Sequence, residues 1–246
     1  MTIDKVQLKA LWKEAFGDPD SWIDSFFAAA FSPERCRCVV KDGQTAAALY
    51  WLDCTCKGKK FAYIYAVATG KVYRGKGLCR ALMEDAHAHL AASGYDGVVL
   101  VPGSDDLRAM YEKMGYRTCS KVSQLCCEAG SEKAHLTPVD TAAYAALRRQ
   151  FLPAGGVLQE GENLDFLASF AKLYRGQDFL LAAYVEDGIV HGIELLGNTA
   201  AAPGIVAALG CTQGQFRIPG EEAPFAMYLP LADHCPMPTY FGIAFD

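Results

Sequence analysis

The spacing of apolar residues in the first third of the chain changes from helical to extended. A helical repeat covers residues 5–16 and ends at Gly17, and a second helical repeat starts around Pro19. Three segments rich in aromatic and β-branched residues follow, at 35–40, 46–55 and 61–68. Short turns separate them, so the pattern predicts two helices and then an antiparallel meander of three strands.

A helix of about four turns is predicted after the third strand, because apolar residues return at helical spacing from Leu78 until Ser93-Gly94. An almost wholly apolar run at 97–102 then predicts a strand buried on both faces. Another helical repeat runs from Ser104 to Gly115, and residues 118–122 and 124–128 are predicted to be two strands with a bend near Ser123.

The second half begins like the first. After a polar linker at 130–133, helices are predicted at 139–151 and 163–174, and a hairpin at 179–185 and 189–196. We interpret this order as a second, divergent copy of the first fold, which divides the chain into domains 1–130 and 131–246. Strands are also predicted at 225–231 and 239–245.

Composition narrows the class of protein. The 246 residues are 52% hydrophobic and 21% charged with a net charge of −5, which is typical of a globular protein and argues against nucleic acid as a partner. No apolar stretch is long enough for a membrane helix and the N-terminus lacks a signal peptide's apolar core, so we expect a cytoplasmic protein without a membrane partner. The ten cysteines lack the spacing of a zinc site and are expected to be core thiols, and no metal is expected.

The link between the third strand and the next helix is the strongest candidate for a ligand site. Gly75 and Gly77 lie where the helix begins, where backbone amides are unpaired and can face an anion. The spacing fits neither the nucleoside triphosphate loop nor Gly-x-Gly-x-x-Gly, which fails at Arg80. What remains is Arg74-x-x-Gly77-x-Cys79 in a cluster of basic residues, and the bland alternative is a solvated basic turn at the end of a core helix.

This spacing resembles the acetyl-CoA loop of the GNAT acyltransferase superfamily, with Cys79 in the last position where the family has Gly or Ala. The resemblance implies that the end of the strand hydrogen-bonds the pantetheine arm and that the loop amides hold the pyrophosphate. The implied coenzyme-binding residues are Val67, Ala68, Thr69, Arg74, Gly75, Lys76, Gly77, Leu78 and Cys79. The implied fold class is α/β (α+β), with two GNAT-like domains in tandem, each a mixed and mostly antiparallel sheet flanked by helices. Residues 202–211 contain no such loop and no basic residue, so we expect no coenzyme there.

A second motif, Met110-Tyr-Glu-Lys-Met-Gly-Tyr116, resembles the superfamily's Leu-Tyr-x-x-x-Gly-Phe signature. The resemblance implies that Tyr111 protonates the departing thiolate, while the alternative role is core packing on an apolar helix face. Relatives often have Asn near the start of this helix, and this chain has Asp105.

The proton acceptor is less clear from the sequence. Many relatives have a Glu on the strand before the loop, but the strand here reads Tyr63-Ile-Tyr-Ala-Val67 without a carboxylate. A water relay or a carboxylate from elsewhere must serve instead. The tandem acetyltransferases typified by the enhanced intracellular survival protein use their terminal carboxylate, and resemblance to that group implies Asp246 as the base. Residues appended after Asp246 are then expected to abolish turnover without unfolding the protein.

The sequence therefore predicts an N-acetyltransferase that moves an acetyl group from acetyl-CoA to an amine acceptor by direct attack. An alternative is a catalytically silent acyl-CoA-binding or regulatory protein, which the missing strand carboxylate and the degenerate second copy suggest. A third option is an interaction scaffold in which both loops are vestigial. The acceptor, the ligand of the second domain and the oligomeric state stay open.

Overall fold

The computed structural model describes residues 4–245, which form two mixed sheets flanked by helices. The helices are α1 (Lys5–Phe16), α2 (Asp20–Ala29), α3 (Leu78–Ala92), α4 (Asp105–Glu112), α5 (Thr141–Phe151), α6 (Glu162–Ala168) and α7 (Ala202–Ala208). Short 3₁₀ turns lie at Pro33–Arg35, Lys71–Tyr73 and Thr199–Ala201. Among the residues described, no helix is both long enough and apolar enough to cross a membrane.

The first sheet contains the predicted meander. Its strands are β1 (Cys36–Lys41), β2 (Gln44–Cys56), β3 (Lys59–Thr69), β4 (Gly97–Leu100), β5 (Arg117–Thr118), β8 (Leu158–Gln159) and β14 (Met227–Pro230). The order is β1-β2-β3-β4-β14-β5, with β8 paired to β2. The strands β1, β2 and β3 pair antiparallel, as predicted. The strands β3 and β4, which precede and follow α3 in the sequence, pair parallel.

The second sheet has the same general construction. Its strands are β6 (Lys121–Glu128), β7 (Thr137–Pro138), β9 (Lys172–Arg175), β10 (Phe179–Glu186), β11 (Ile189–Gly197), β12 (Gln213–Pro219) and β13 (Ala223–Pro224). The order is β13-β6-β12-β11-β10-β9-β7. The predicted hairpin is formed by β10 and β11. The strands β11 and β12, which precede and follow α7 in the sequence, pair parallel.

The parts of the chain before and after the linker exchange strands. The strand β6 precedes the linker but pairs along its length with β12 of the second sheet. The strands β8 and β14 follow the linker but belong to the first sheet, where β8 pairs with β2 and β14 inserts between β4 and β5. The prediction that residues 118–128 form two strands of the first domain is therefore wrong: β6 is one continuous strand in the other sheet. The division at residue 130 stays a prediction, and each sheet contains a strand from the other side of it.

Two further elements differ from the prediction. The helix predicted at 163–174 ends at Ala168, where the Ser169 hydroxyl donates to the Phe166 carbonyl at 2.7 Å, and β9 begins at Lys172. Residues 239–245 are not a strand, although Tyr240 makes an isolated bridge with Gly156. The side chain of Gln159 binds the backbone of Ile243 instead, donating to its carbonyl at 2.6 Å and accepting from its amide at 3.3 Å.

A shared core joins the two halves. The first helix begins because the Asp4 carboxylate accepts from the Val6 amide at 2.9 Å, and it ends at Gly17 in the left-handed region. It buries Trp12 in a cluster that also includes Phe166 of α6 and Phe241. At the same junction, the Glu162 carboxylate accepts from the Asp53 amide at 2.7 Å. One contiguous core therefore fixes α6 and the end of the chain against the first sheet.

Candidate active site

The strand β3 separates from β4 in the middle of its length. The parallel pairing runs only from Phe61 opposite Gly97 to Tyr63 opposite Val99. Beyond it, residues 65–67 are only partly buried, and Ala66 has a φ of 48° where the register with β2 shifts by one residue. This is a β-bulge, which bends a strand and interrupts its hydrogen bonding. One edge of β3 at Val67 to Thr69 is thereby left beside a gap in the sheet.

The glycine loop lies at the end of β3 and leads into α3. Gly75 and Gly77 have φ values of 73° and 76°, which disfavour any side chain, and no atom lies within 4 Å of where their Cβ atoms would be. Gly77 is the N-cap of α3 and provides no side-chain hydrogen bond, so the backbone amides in the first turn of α3 have no intrahelical partner. A cradle of backbone amides with open space above it fits a pyrophosphate group.

Basic side chains surround this cradle and are exposed. The Arg74 guanidinium donates to the Thr69 carbonyl at 3.0 Å, which closes the loop onto the end of β3. The Lys76 ammonium donates to the Val72 carbonyl at 3.0 Å. Leu78 and Cys79 are partly buried and pack on the core beneath α3. All nine residues predicted to bind the coenzyme thus lie in one continuous segment, from the open edge of β3 to the first turn of α3.

Tyr111 lies on α4 in the core on the α3 side of the first sheet, and only 6% of its surface is exposed. Burial raises its pKa above the usual value, with a smaller effect from neighbouring Cys79, so the phenol stays protonated at neutral pH. Its hydroxyl has no hydrogen-bond partner among the described residues, yet it is not one of the fully enclosed polar atoms. A protonated hydroxyl without a protein partner is available to a ligand.

A partly buried histidine lies behind this tyrosine. The ring of Tyr116 is 5.6 Å from that of Tyr111, and its hydroxyl is 2.7 Å from His87 Nε2. Burial lowers the pKa of His87 to about 4, so this imidazole is neutral at physiological pH. The pair fixes the position of the ring against which Tyr111 packs.

The end of the chain lies on the opposite face of the first sheet. The ring of Phe241 is 4.8 Å from that of Tyr63, and the ring of Phe245 is 5.5 Å from that of Tyr65. Both phenylalanines are buried. The predicted base, Asp246, lies outside the described residues. The residue before it is in contact with β3, next to the bulge.

A cavity of about 350 Å³ opens beside Phe245, between the first-domain helix α2 and the second sheet. Trp22, Phe170 and Phe245 provide aromatic rings, and the strands of the second sheet provide polar side chains. Tyr111 therefore packs on the face of the first sheet that α3 covers, and Phe245 and the cavity lie on the opposite face.

On this second face, sequence reasoning gave Asp246 as the candidate base, but it did not predict the cavity or the packing of Phe245 on β3. The signal that was available is the apolar run before Asp246, which was interpreted as a strand rather than as packing beside a site. The cavity itself has no local signal, because its lining comes from seven separate stretches of chain between Trp22 and Phe245.

The cysteines are all free thiols. Burial raises the pKa of several of them, including Cys36 and Cys54, which disfavours the thiolate form that binds metals. Among the described residues, no group of three or more His, Cys, Asp or Glu side chains is placed to hold a metal ion.

The sequence of residues 3–119 matches the family model described as "Acetyltransferase (GNAT) domain". No curated protein matches the chain.

Several solved structures share the fold. A GCN5-related N-acetyltransferase from Anabaena variabilis superposes with a TM-score of 0.69 at 16% identity, covering 92% of this chain and 70% of that one. Eis1 from Mycobacterium abscessus gives 0.66 at 11% identity, with coverage of 94% and 72%. A tandem GNAT protein from the clavulanic acid biosynthesis pathway gives 0.57 at 9% identity, with coverage of 93% and 95%. Residues 3–119 are therefore similar to GNAT acetyltransferase domains, and the fold of the whole chain is similar to that of a tandem GNAT protein.

Proposed function

We propose that the protein transfers the acetyl group of acetyl-CoA to the amine of a small acceptor molecule. The observation that carries the proposal is the gap where β3 leaves β4, next to the uncapped, glycine-led N-terminus of α3. Acetyl-CoA is a thioester and supplies the acetyl group to be transferred. The backbone from Val67 to Thr69 binds its pantetheine arm, and the loop from Arg74 to Cys79 binds its pyrophosphate.

The acceptor enters from the opposite face, through the cavity between α2 and the second sheet. A primary amine with a pKa of about 10.4 must lose a proton before it attacks, which costs about 4 to 5 kcal/mol at neutral pH without help. Phe245 lies on this face and directly precedes Asp246 in the sequence, and the carboxylate of Asp246 serves as the proton acceptor. This role for Asp246 stays a prediction.

Tyr111 acts on the other side of the gap. As the acceptor nitrogen forms its bond to the acetyl carbon, the bond from that carbon to sulfur breaks and the sulfur takes the electron pair. The buried, protonated phenol of Tyr111 donates its proton to that sulfur. The base on one face takes a proton from the acceptor amine, and the acid on the other face gives a proton to the coenzyme sulfur. The two proton transfers are therefore carried out by different groups.

Tyr111→Phe tests the proposal, because it keeps the ring and its packing and removes the proton. We expect kcat in an acetyl-CoA-dependent amine acetylation assay to fall by about 100- to 10,000-fold. Acetyl-CoA affinity by calorimetry and the melting temperature should stay near wild type.

Tyr95→Phe is the matched control. It also removes a buried tyrosine hydroxyl from the first domain, one that donates to the Asp53 carboxylate at 2.5 Å. It should affect stability rather than kcat. Unchanged turnover in Tyr111→Phe assigns that tyrosine to packing. Tight acetyl-CoA binding without turnover of any amine by the wild type supports the silent binding protein instead.

A further inference from the structure

The cavity beside Phe245 has two chemically different walls. Its aromatic wall comes from three separate segments: the rings of Trp22 and Phe170 are 4.5 Å apart, and Phe170 and Phe245 are 6.3 Å apart. The facing wall is the open side of the second sheet, with Gln124 on β6, Glu186 on β10 and Gln215 on β12. A ligand between these walls must be apolar on one side and hydrogen-bonding on the other.

Two side chains of the polar wall are not used by any other residue that the structure describes. The side chains of Glu186 and Gln215 make no hydrogen bond or ion pair with any other described residue. The imidazole of His191 stacks on the ring of Tyr184 at 4.9 Å, with 11° between the planes, and both line the same wall. Amide and carboxylate groups offer both donors and acceptors, which suits hydroxyl groups.

Charge limits the class further. Among the described lining residues there is one carboxylate, Glu186, and one guanidinium, Arg217, whose centre lies 4.5 Å above the ring of Phe225. These two opposite charges cancel, so the described lining residues alone give no net attraction to a polycation or to a polyanion. The size is also limiting, because about 350 Å³ is near the lower end for small-molecule sites.

We propose that this cavity is the acceptor subsite and that it takes a hydroxylated amine of about one sugar ring, such as an amino sugar. The inference depends on the proposed acetyl transfer. The C–H face of such a ring packs on Trp22, Phe170 and Phe245, where the negative faces of the aromatic rings attract C–H hydrogens. Its hydroxyl groups bind Gln124, Glu186 and Gln215, and its amine points past Phe245 to the gap in the first sheet.

The experiment measures release of the coenzyme thiol by the full chain with saturating acetyl-CoA and three probe amines. D-glucosamine represents the proposed class, cyclohexylamine has a six-membered ring and an amine without hydroxyl groups, and spermidine is a polycation. We expect kcat/KM to be at least about tenfold higher for glucosamine than for either control amine, about 1.4 kcal/mol of discrimination. Equal or better turnover of cyclohexylamine or spermidine overturns the assignment.

Two variants on one strand locate the subsite. Gln215 lines the cavity, and Gln213 is exposed on the same face of β12 outside it. Gln215→Ala should raise the KM for glucosamine by about five- to tenfold, the effect of one lost hydrogen bond, and Gln213→Ala should leave it unchanged. A general effect on folding would change both variants. Equal KM values in both variants and the wild type contradict the subsite.

Acetyl-CoA binding separates this inference from the proposed function. If the wild type binds acetyl-CoA but prefers another amine, the acceptor class is wrong and the acetyl transfer stands. If it does not bind acetyl-CoA, the proposed function fails. If no amine is turned over, calorimetric titration of glucosamine into the protein with bound CoA decides: saturable heat that Gln215→Ala weakens supports the subsite, and no heat overturns it.

Discussion

Two regions of the molecule share a construction and differ in what occupies it. In the first half, β3 leads through a glycine loop into α3 and back into the parallel strand β4; in the second half, β11 leads into α7 and back into the parallel strand β12. Both β3 and β11 have a one-residue register shift with the strand before them. The two units therefore share the bulge and the point at which the parallel strands part.

The regions beyond the two bulges differ in burial and in the helix that follows. In the first half, residues 65–67 are partly exposed and a helix of 15 residues presents its amides behind two glycines. In the second half, β11 is buried through residue 196, and α7 has seven residues that begin with Ala202-Pro203. Glu194, just past the end of the parallel pairing, accepts hydrogen bonds from Arg148 and from Tyr240 of the C-terminal segment. The region beyond the bulge is therefore open to a ligand in the first copy, and in the second copy it binds the C-terminal segment of the protein itself.

The first prediction concerns a variant that breaks the buried ion pair in the second copy. Arg148 and Glu194 are almost fully buried and joined by two hydrogen bonds of 2.7 and 2.9 Å. Arg148→Ala leaves Glu194 without its counter-charge, so we expect a loss of about 3 to 5 kcal/mol of unfolding free energy in urea denaturation.

The adjacent residue provides the control. Arg149 pairs with Glu160 at 2.6 Å on the surface, where the arginine side chain is 61% exposed. Arg149→Ala should change the unfolding free energy by less than about 1 kcal/mol. Similar losses in the two variants would show that the buried pair does not hold the second copy together.

The second prediction concerns the contact between Glu194 and the end of the chain. The Tyr240 hydroxyl donates to the Glu194 carboxylate at 3.0 Å in a buried setting. Tyr240→Phe keeps the ring and removes a hydrogen bond to a charged group, so we expect a loss of about 1.5 to 3 kcal/mol in the same denaturation assay. A loss much smaller than this would mean that the ring alone anchors the segment.

The third prediction is a smaller effect of pH on the melting temperature, and it comes from His87 in the first copy. Burial lowers the pKa of His87 to about 4, below the unfolded value near 6.5. Between these values the unfolded chain binds the extra proton, so the contribution of His87 to stability is present above about pH 6.5 and is lost as pH falls toward 4. The melting temperature should fall across this window, and less so in His87→Gln.

His135 is the control for this titration because it is exposed. His135→Gln should keep the wild-type fall in melting temperature between pH 6.5 and 4. Parallel curves for wild type and His87→Gln would contradict the assignment of this pH dependence to the His87 imidazole.

The elements with a local cause could be predicted from the sequence. The helix at Lys5–Phe16 was predicted with its observed bounds, because its apolar spacing and Gly17 are both local signals. The glycine loop and its place between strand and helix were confirmed for the same reason. Local signals also gave the hairpin of β10 and β11, whose turn has Asp187 and Gly188 at positive φ.

What could not be predicted depends on contacts between distant residues. The sequence of β6 is equally compatible with either sheet, and only its pairing with β12 places it in the second one. The segment at 239–245 looks extended and apolar, yet Gln159 satisfies its backbone from 84 residues away. The cavity beside Phe245 depends on both segments, because the second sheet and residues 244–245 form part of its walls.

The central claim, that only the first copy binds the coenzyme, can be tested by calorimetric titration of acetyl-CoA. Gly77→Asp places a negative charge at the cradle, and Gly77→Asn is its uncharged isostere with the same backbone requirement. Gly210→Asp places the same charge after α7, at a glycine whose φ of 72° and open surroundings match those of Gly77. We predict that wild type and Gly210→Asp bind alike, and that Gly77→Asp binds at least about tenfold more weakly than Gly77→Asn, about 1.4 kcal/mol. Equal affinities of the two Gly77 variants, or a wild type that does not bind acetyl-CoA, would contradict the account.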